Sequence, residues 1–274
     1  MRRAGTYAFV LLGAFISLFP FYYMVIGSLQ LHADSAFSGL LPRPGNLGLQ
    51  NYRDINHAIS LLPALASSAI FTLGTVTLTI VIGLPAGYAL ARLHFPGRRA
   101  LNRVLMLVLV LPFQVLMIPL YVLVARDYGL ADSYLGMILP FAVNATAVLI
   151  FRQFFASLPD ELFDAARIDG AGELRTLRLV AEPVTKPAII TASVITFVGP
   201  WNEFLWPFLI TKKHSMQPLA VALGNYIETN ASTAANPYGV ILAGACVLAV
   251  PAIALFVMAQ RYYTSAALGA GIKD

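Results

Sequence analysis

No charged side chain occurs between Tyr7 and Leu29, and comparable apolar runs return at about residues 64–91, 104–125, 134–150, 188–210 and 239–260. A helix needs about 20 such residues to cross the hydrocarbon of a bilayer, where only helices and closed barrels satisfy their own backbone. The six runs therefore predict an all-α membrane protein with six transmembrane helices, forming a single domain over residues 1–274. Composition agrees, since 11% of the residues are charged, against about 25% in a soluble domain. The net charge of +5 would suggest a nucleic-acid partner in a soluble chain. Here its distribution follows membrane topology, so the expected surroundings are lipid and nucleic acid is not expected. Cys246, alone and within an apolar run, cannot form an internal disulfide. Met1-Arg2-Arg3 resembles the start of a signal peptide, but the apolar run behind it exceeds the roughly 7–15 residues of such a segment, so it is expected to stay as the first span.

Orientation follows from the basic residues. With both termini inside, inner segments hold 13 of the 18 Lys and Arg residues, and outer ones hold only Arg43, Arg53, Arg126, Lys212 and Lys213. The positive-inside rule then places residues 157–187 in the cytoplasm. Residues 30–62 and the stretch from Thr211 to Tyr238 read as loops on the outer side.

Residues 157–187 form the one long polar segment between two strongly apolar ones, and they carry six of the thirteen acids. Ser157 followed by Asp160 has the spacing of a capping box, with Pro159 in the first turn, so a helix is expected to start there. Leu162, Phe163, Ala165, Ala166 and Ile168 recur at helical spacing opposite Asp160, Glu161, Asp164 and Arg167. This apolar face is shallow because the two alanines are small. Gly170 is the expected left-handed terminator, and Leu174, Leu177 and Val180 carry a second helix to its stop at Pro183 and Pro187. A small-residue face of this kind suits insertion into a partner's groove.

The segment from Asp164 to Pro183, DAARIDGAGELRTLRLVAEP, resembles the cytoplasmic EAA loop of membrane subunits of binding-protein-dependent ABC importers. The family pattern is E-A-A, three residues, Gly, nine residues, then I-x-L-P. Asp164, Ala165, Ala166, Gly170, Val180 and Pro183 fall in register, with Asp164 standing for Glu, Val180 for Ile and Glu182 for Leu. The resemblance implies the type I importer permease fold. It also implies a coupling helix, including Asp164, Ala165, Ala166, Asp169, Gly170 and Pro183, that docks on an ATPase subunit. The implied partners are a second, homologous permease subunit, two ATPases that bind ATP and Mg on their own chains, and an extracytoplasmic solute-binding protein. The implied location is the bacterial cytoplasmic membrane.

Further matches to the sugar-importing branch are Asn51-Tyr52, YALAR (Tyr88 to Arg92), IPLY (Ile118 to Tyr121), GLADS (Gly129 to Ser133) and WNEFLWP (Trp201 to Pro207). By the same resemblance the stretch from Thr211 to Tyr238 would face the solute-binding protein. The C-terminal QRYYTSAALGAGIKD is similar to the tail of maltose-type permease subunits that end near Gly-x-x-Lys-Gly, with Gly271-Ile272-Lys273 matching and Asp274 standing for the final Gly.

Glu203 is the one acid inside an expected span. A carboxylate near the bilayer centre costs about 2.5–3.5 kcal/mol, so it should face a cavity or a partner. Trp201 and Trp206 could stack on a sugar ring, and Asn202 could hydrogen-bond it. The same residues could equally form an aromatic belt at the outer interface. Pro20, Pro85, Pro112, Pro119, Pro140, Pro200, Pro207 and Pro251 punctuate the spans and can bend them, although proline is common in such helices anyway.

Nothing here has the pattern of catalysis. There is no Gly-rich loop ending in Gly-Lys-Ser/Thr, and His32, His57, His94 and His214 lack metal-ligand spacing, so neither catalytic residues nor cofactor or metal sites are expected. The alternative to an ATP-driven importer is an ion-coupled secondary transporter, for which Glu203 would have to serve as the midplane acid.

Overall fold

The computed structural model describes residues 2–32, 41–229 and 236–270. In chain order the helices are α1 (Arg2–Leu29), α2 (Gln50–Ile59), α3 (Leu61–Arg92), α4 (Arg98–Val110), α5 (Phe113–Tyr121), α6 (Tyr134–Ile138), α7 (Ala145–Ser157) and α8 (Asp160–Ile168). They continue as α9 (Glu173–Thr176), α10 (Glu182–Val184), α11 (Lys186–Asn202), α12 (Leu205–Ile210), α13 (Leu219–Thr229) and α14 (Pro237–Ala270). Wider π turns extend α5 over Val122–Asp127 and join α9 to α10 over Leu177–Ala181. The tail match at Gly271-Ile272-Lys273 lies outside the described residues.

Three helices are long and apolar enough to cross a membrane, over Gly5–Leu29, Leu61–Arg92 and Pro237–Gln260. The other expected spans are bent. The run expected at 104–125 is α4 followed by α5, turned through 99°. Pro112 explains the turn, because it lacks an N–H and drives Leu111 into an extended conformation with ψ of 119°. The run at 134–150 bends by 48° between Phe141 and Ala145. The run at 188–210 is interrupted at Glu203 and Phe204, and α11 also meets the preceding α9–α10 segment at 79°. Pro20, Pro85, Pro119, Pro200 and Pro251 remain inside continuous helices.

The chain divides into two compact units, one of residues 1–65 and 219–251, the other of residues 66–218 and 252–274. In the first, most of α1 exposes apolar side chains such as Phe9, Leu11 and Phe15, as a lipid-facing helix should. Two connections expected as outer loops are not plain loops, which corrects that part of the expectation. Within residues 30–62 lies α2, and within the stretch from Thr211 to Tyr238 lies α13, whose Leu219, Val221, Leu223 and Tyr226 are buried. Buried Asn51 fastens this unit: its amide donates to the carbonyls of Ser28 (2.9 Å) and Gln30 (2.7 Å) and accepts from Asn236 (3.0 Å). The Tyr52 hydroxyl meets Ser28 Oγ at 2.8 Å. The Asn51-Tyr52 pair thus ties the end of α1 to the start of α14.

In the second unit α3 carries two apolar clusters. Near its start Phe71 packs with Met117, Met137, Ile138, Trp206 and Ile210. Near its end Leu84 and Tyr88 pack with Phe151, Phe155, Phe163, Leu177 and Ala188. Gly87 permits the second packing, since a Cβ there would lie 2.5 Å from Phe151 Cβ and 2.9 Å from the Arg152 nitrogen. Gly83 and Gly87 give the small-xxx-small spacing that lets two membrane helices approach closely. The GLADS turn closes one end of this unit. Asp132, with φ of 51°, accepts from the backbone N–H groups of Lys212 (2.5 Å) and Lys213 (3.0 Å). Those bonds from Lys213 and Lys212 hold its carboxyl below the usual carboxylate range.

Candidate functional site

The polar segment folds as α8, a glycine turn and the α9–α10 segment. Asp160 and Glu161 occupy the first turn of α8 and Arg167 the last, an order that suits the helix dipole. The expected capping box does not form. Ser157 ends α7 and donates to the Phe154 carbonyl at 2.7 Å, while Pro159 is the cap residue immediately before α8. A hydroxyl two residues before that proline is simply engaged by the preceding helix.

Gly170 closes α8 as expected, with φ of +73°. The Gly170 N–H donates to the Arg167 carbonyl (3.0 Å) and the Ala171 N–H to the Ala166 carbonyl (2.9 Å), the paired bonds of a Schellman ending. The expected stop at Pro183 is corrected: the segment runs on to Val184 and breaks at Thr185. Pro187 lies in the first turn of α11, where a missing N–H is harmless, and Pro183 comes just after the π turn over Leu177–Ala181, near the end of a continuous segment. Glu182, which departs from the family pattern, is exposed.

The apolar face of α8 is also not the one expected. Phe163 and Ala166 are buried in the chain's own core, with Leu162 half-buried beside them. Ala165 and Ile168 are exposed, Ile168 by 86%. Three residues apart, they share a face turned away from the core. Ala166 therefore packs inward and only Ala165 is presented outward. Asp164, in the middle of α8, and Asp169, just past its end, are exposed, and Asp164 pairs with Arg167 at 3.2 Å.

Two residues from YALAR hold this segment in place, and sequence reasoning noted them only as a match. The guanidinium of Arg92, whose side chain is 12% exposed, donates to the Phe155 carbonyl at 2.9 Å, to the Leu158 carbonyl and to Asp160. It also lies 4.1 Å from the centre of the Phe163 ring. The Tyr88 hydroxyl donates to Glu173 Oε2 at 2.6 Å, and its ring packs edge-on against Phe155. A Tyr and an Arg four apart at the polar end of a span were the available signal.

The second group separates. Trp206 is fully buried and donates its indole N–H to the Gly136 carbonyl at 3.1 Å. Trp201 is buried and stacks on Phe197 at 5.3 Å. Neither ring is an open surface for a sugar, and the fully buried Trp206 is not part of an interfacial belt. Asn202 is exposed, and Glu203 accepts from the Trp206 N–H at 3.3 Å, bridging the break between α11 and α12.

A helical chain with spanning segments and a firmly held amphipathic surface helix between two of them has the makings of a membrane transport subunit. The chain belongs to the family described as binding-protein-dependent transport system inner membrane component, which matches residues 79–264. It is 31% identical to the sn-glycerol-3-phosphate transport system permease protein UgpE of Rhizobium meliloti (strain 1021), over 93% of this chain and 92% of that one. It is 30% identical to the arabinooligosaccharides transport system permease protein AraQ of Bacillus subtilis (strain 168), over 99% and 96% respectively. It also resembles a chain in the crystal structure of a bacterial ABC transporter involved in the import of the acidic polysaccharide alginate. That match has a TM-score of 0.81 and 25% identity, covering 96% of this chain and 97% of the other. The chain thus has the ABC importer permease fold and is a transport component rather than an enzyme.

Proposed function

We propose that this chain is one of two permease subunits of an ATP-driven importer for a sugar or sugar-like solute. Two ATPase subunits and an extracytoplasmic binding protein complete the assembly. The whole chain acts as one permease domain with six spans, α4–α5, α6–α7 and α11–α12 each crossing once, and with both termini in the cytoplasm. Charged or hydroxylated carbohydrate-like solutes are named for the relatives UgpE and AraQ and for the alginate transporter, which supports that solute class.

The observation that carries the reading is the exposed apolar pair Ala165 and Ile168 on a helix whose other face is locked to α3 by Arg92. An apolar side chain left in water on a polar segment is a natural anchor for a partner's groove. Because the helix is locked to the spans, movement of a docked ATPase passes to α3, α7 and α11 rather than being absorbed locally. Asp164, Asp169 and the Gly170 turn border this edge, and Pro183 lies near the end of the α9–α10 segment, just before α11 returns to the bundle.

On the solute side, Asn202 and Glu203 at the α11–α12 break are the proposed path residues. The hydroxyls of Thr72, Thr75 and Thr196, buried without a hydrogen-bond partner among the described residues, would join them when the helices rock.

The test is co-purification with the ATPase subunits and uptake in membrane vesicles. Ile168→Asp should abolish ATPase retention while leaving the permease in the membrane, and Thr72→Val with Thr75→Val should lower uptake while leaving retention intact. Full ATPase retention by Ile168→Asp would remove the docking assignment. Uptake driven by an ion gradient with no ATPase present would instead favour the secondary-transporter alternative.

A further inference from the structure

The turn between α3 and α4 and Arg152 of α7 line an open cavity of about 830 Å³, with His94, Arg98, Arg99, Asn102 and Arg103 among its other walls and no acid in the lining. Among the described residues none of these four arginines pairs with a carboxylate, whereas Arg92 nearby does. Arg98 is held in place, donating to the carbonyls of Ala91 and Leu93 at 3.1 Å each. Arg152 presents a buried Nε with no acceptor.

The helix that leaves this cavity adds to the field. α4 begins at Gly97 with no side-chain cap and no acid in its first turn, so its positive end points into an already cationic site. Arginines concentrated at a helix N-terminus are unfavourable unless an anion accompanies them. Beyond the cavity, α4 buries none of its residues and exposes Leu101, Val104, Leu107, Val108 and Val110 along its length. The arrangement is a concave cationic pocket opening onto an apolar rod.

We propose that this cavity binds the phosphate of an anionic phospholipid, whose acyl chains lie along α4. A phosphodiester supplies acceptors for Arg152 Nε, for the free guanidinium groups of Arg99 and Arg103, and for the uncapped N–H groups of the first turn. The bare apolar face of α4 selects the lipid source over free phosphate, which has nothing to place there. Basic pockets beside membrane helices recognise anionic headgroups by this combination of charge and concavity. The assignment goes beyond the importer reading and does not depend on the ATPase docking edge.

The experiment uses the purified full-length chain in detergent, with retention of phosphatidylglycerol and of phosphatidylcholine measured by native mass spectrometry, and inorganic phosphate added as competitor. Phosphatidylglycerol should be retained in preference to phosphatidylcholine, with roughly fivefold weaker retention for each arginine removed in Arg99→Gln and Arg103→Gln. Both side chains are exposed, so these variants should fold normally even if Arg152→Gln does not. Arg178→Gln, an exposed arginine away from the cavity, should leave retention unchanged. Equal retention of the two lipids, or of phosphatidylglycerol by wild type and the double variant, would overturn the proposal. Displacement of the lipid by inorganic phosphate would overturn the lipid assignment. Loss of ATPase co-purification with unaltered lipid retention in the double variant would assign the cavity to an acidic protein surface and also overturn it.

Discussion

Arg92 and Arg152 are both partly buried arginines in the second unit, close to the same turn, yet the first has three oxygen acceptors and the Nε of the second has none. Around Arg92 the nearest charges of the polar segment are paired within the chain: Arg92 with Asp160, Arg167 with Asp164 and Glu173, and Glu173 with Tyr88. Around Arg152 the charges share one sign and are left facing a cavity. The contrast separates two uses of charge that composition cannot distinguish. Paired groups fix the shape of this chain, and what they leave for a partner is the apolar edge at Ala165 and Ile168. Around the cavity only Arg98 is tied to the chain's own carbonyls, and the buried Arg152 Nε is left as a donor that a bound anion would satisfy.

The largest effect should come from a change that strikes both regions. Gly87→Leu drives a side chain into the backbone of α7 between Val148 and Arg152. Overpacking of this kind costs about 1–3 kcal/mol, and more where the obstacle is backbone. The expected result is a lowered unfolding temperature in detergent together with loss of both ATPase co-purification and phosphatidylglycerol retention. Retention of either function would show that the two regions do not share the α3–α7 contact.

Arg92→Ala should come next and strike one region only. It leaves the Phe155 and Leu158 carbonyls without their charged donor and Phe163 without its cation, a loss of about 2–3 kcal/mol on the scale of hydrogen bonds to charged groups. The ion pair with Asp160 adds little, because Asp160 is 84% exposed. ATPase co-purification should fall while lipid retention stays at the wild-type level. Gly170→Ala follows: nothing obstructs a Cβ there, but φ of +73° disfavours any L side chain by about 1–2 kcal/mol. A small loss of ATPase docking is expected, read against an unchanged unfolding profile of the rest of the chain. A bulkier residue should do no more steric damage than Ala, since the space is open.

Much of this architecture is legible in the amino-acid sequence, and the departures from it have common causes. Spans, the surface helix and the glycine ending were readable because each depends on local chemistry: apolar runs, dipole-matched acids, and the one residue type that accepts a left-handed turn. What failed was whatever depended on which neighbour a residue meets. Ala166 and Ile168 both fit the apolar face by spacing, but the core took Ala166 and left Ile168 in water. Trp206 carried the right chemistry for a sugar platform and was instead claimed by the Gly136 carbonyl. Arg92 and Tyr88 sat in a recognised motif, yet their partners lie 63 to 85 residues further along the chain, beyond the reach of any periodicity. The right-angled turn at Pro112 was signalled by that proline, but Pro85 and Pro251, identical in sequence terms, leave their helices continuous.

The smallest expected effect is the one that probes the contrast most sharply. Arg99 is exposed, carries no ion pair among the described residues and sits at the positive end of α4. If unpaired charge serves only a bound anion, removing it from the lipid-free protein should change stability by no more than about 0.5 kcal/mol, the usual range for an exposed site. The sign should favour the variant, because a positive charge at a helix N-terminus opposes the dipole. With phosphatidylglycerol present the sign should reverse, since a ligand that binds only the folded state stabilises it in proportion to its affinity. Thermal unfolding of Arg99→Gln and wild type, each with and without that lipid, measures both quantities at once. A variant destabilised to the same extent in either condition would mean that Arg99 is an internal structural group like Arg92, and the division between the two regions would fall.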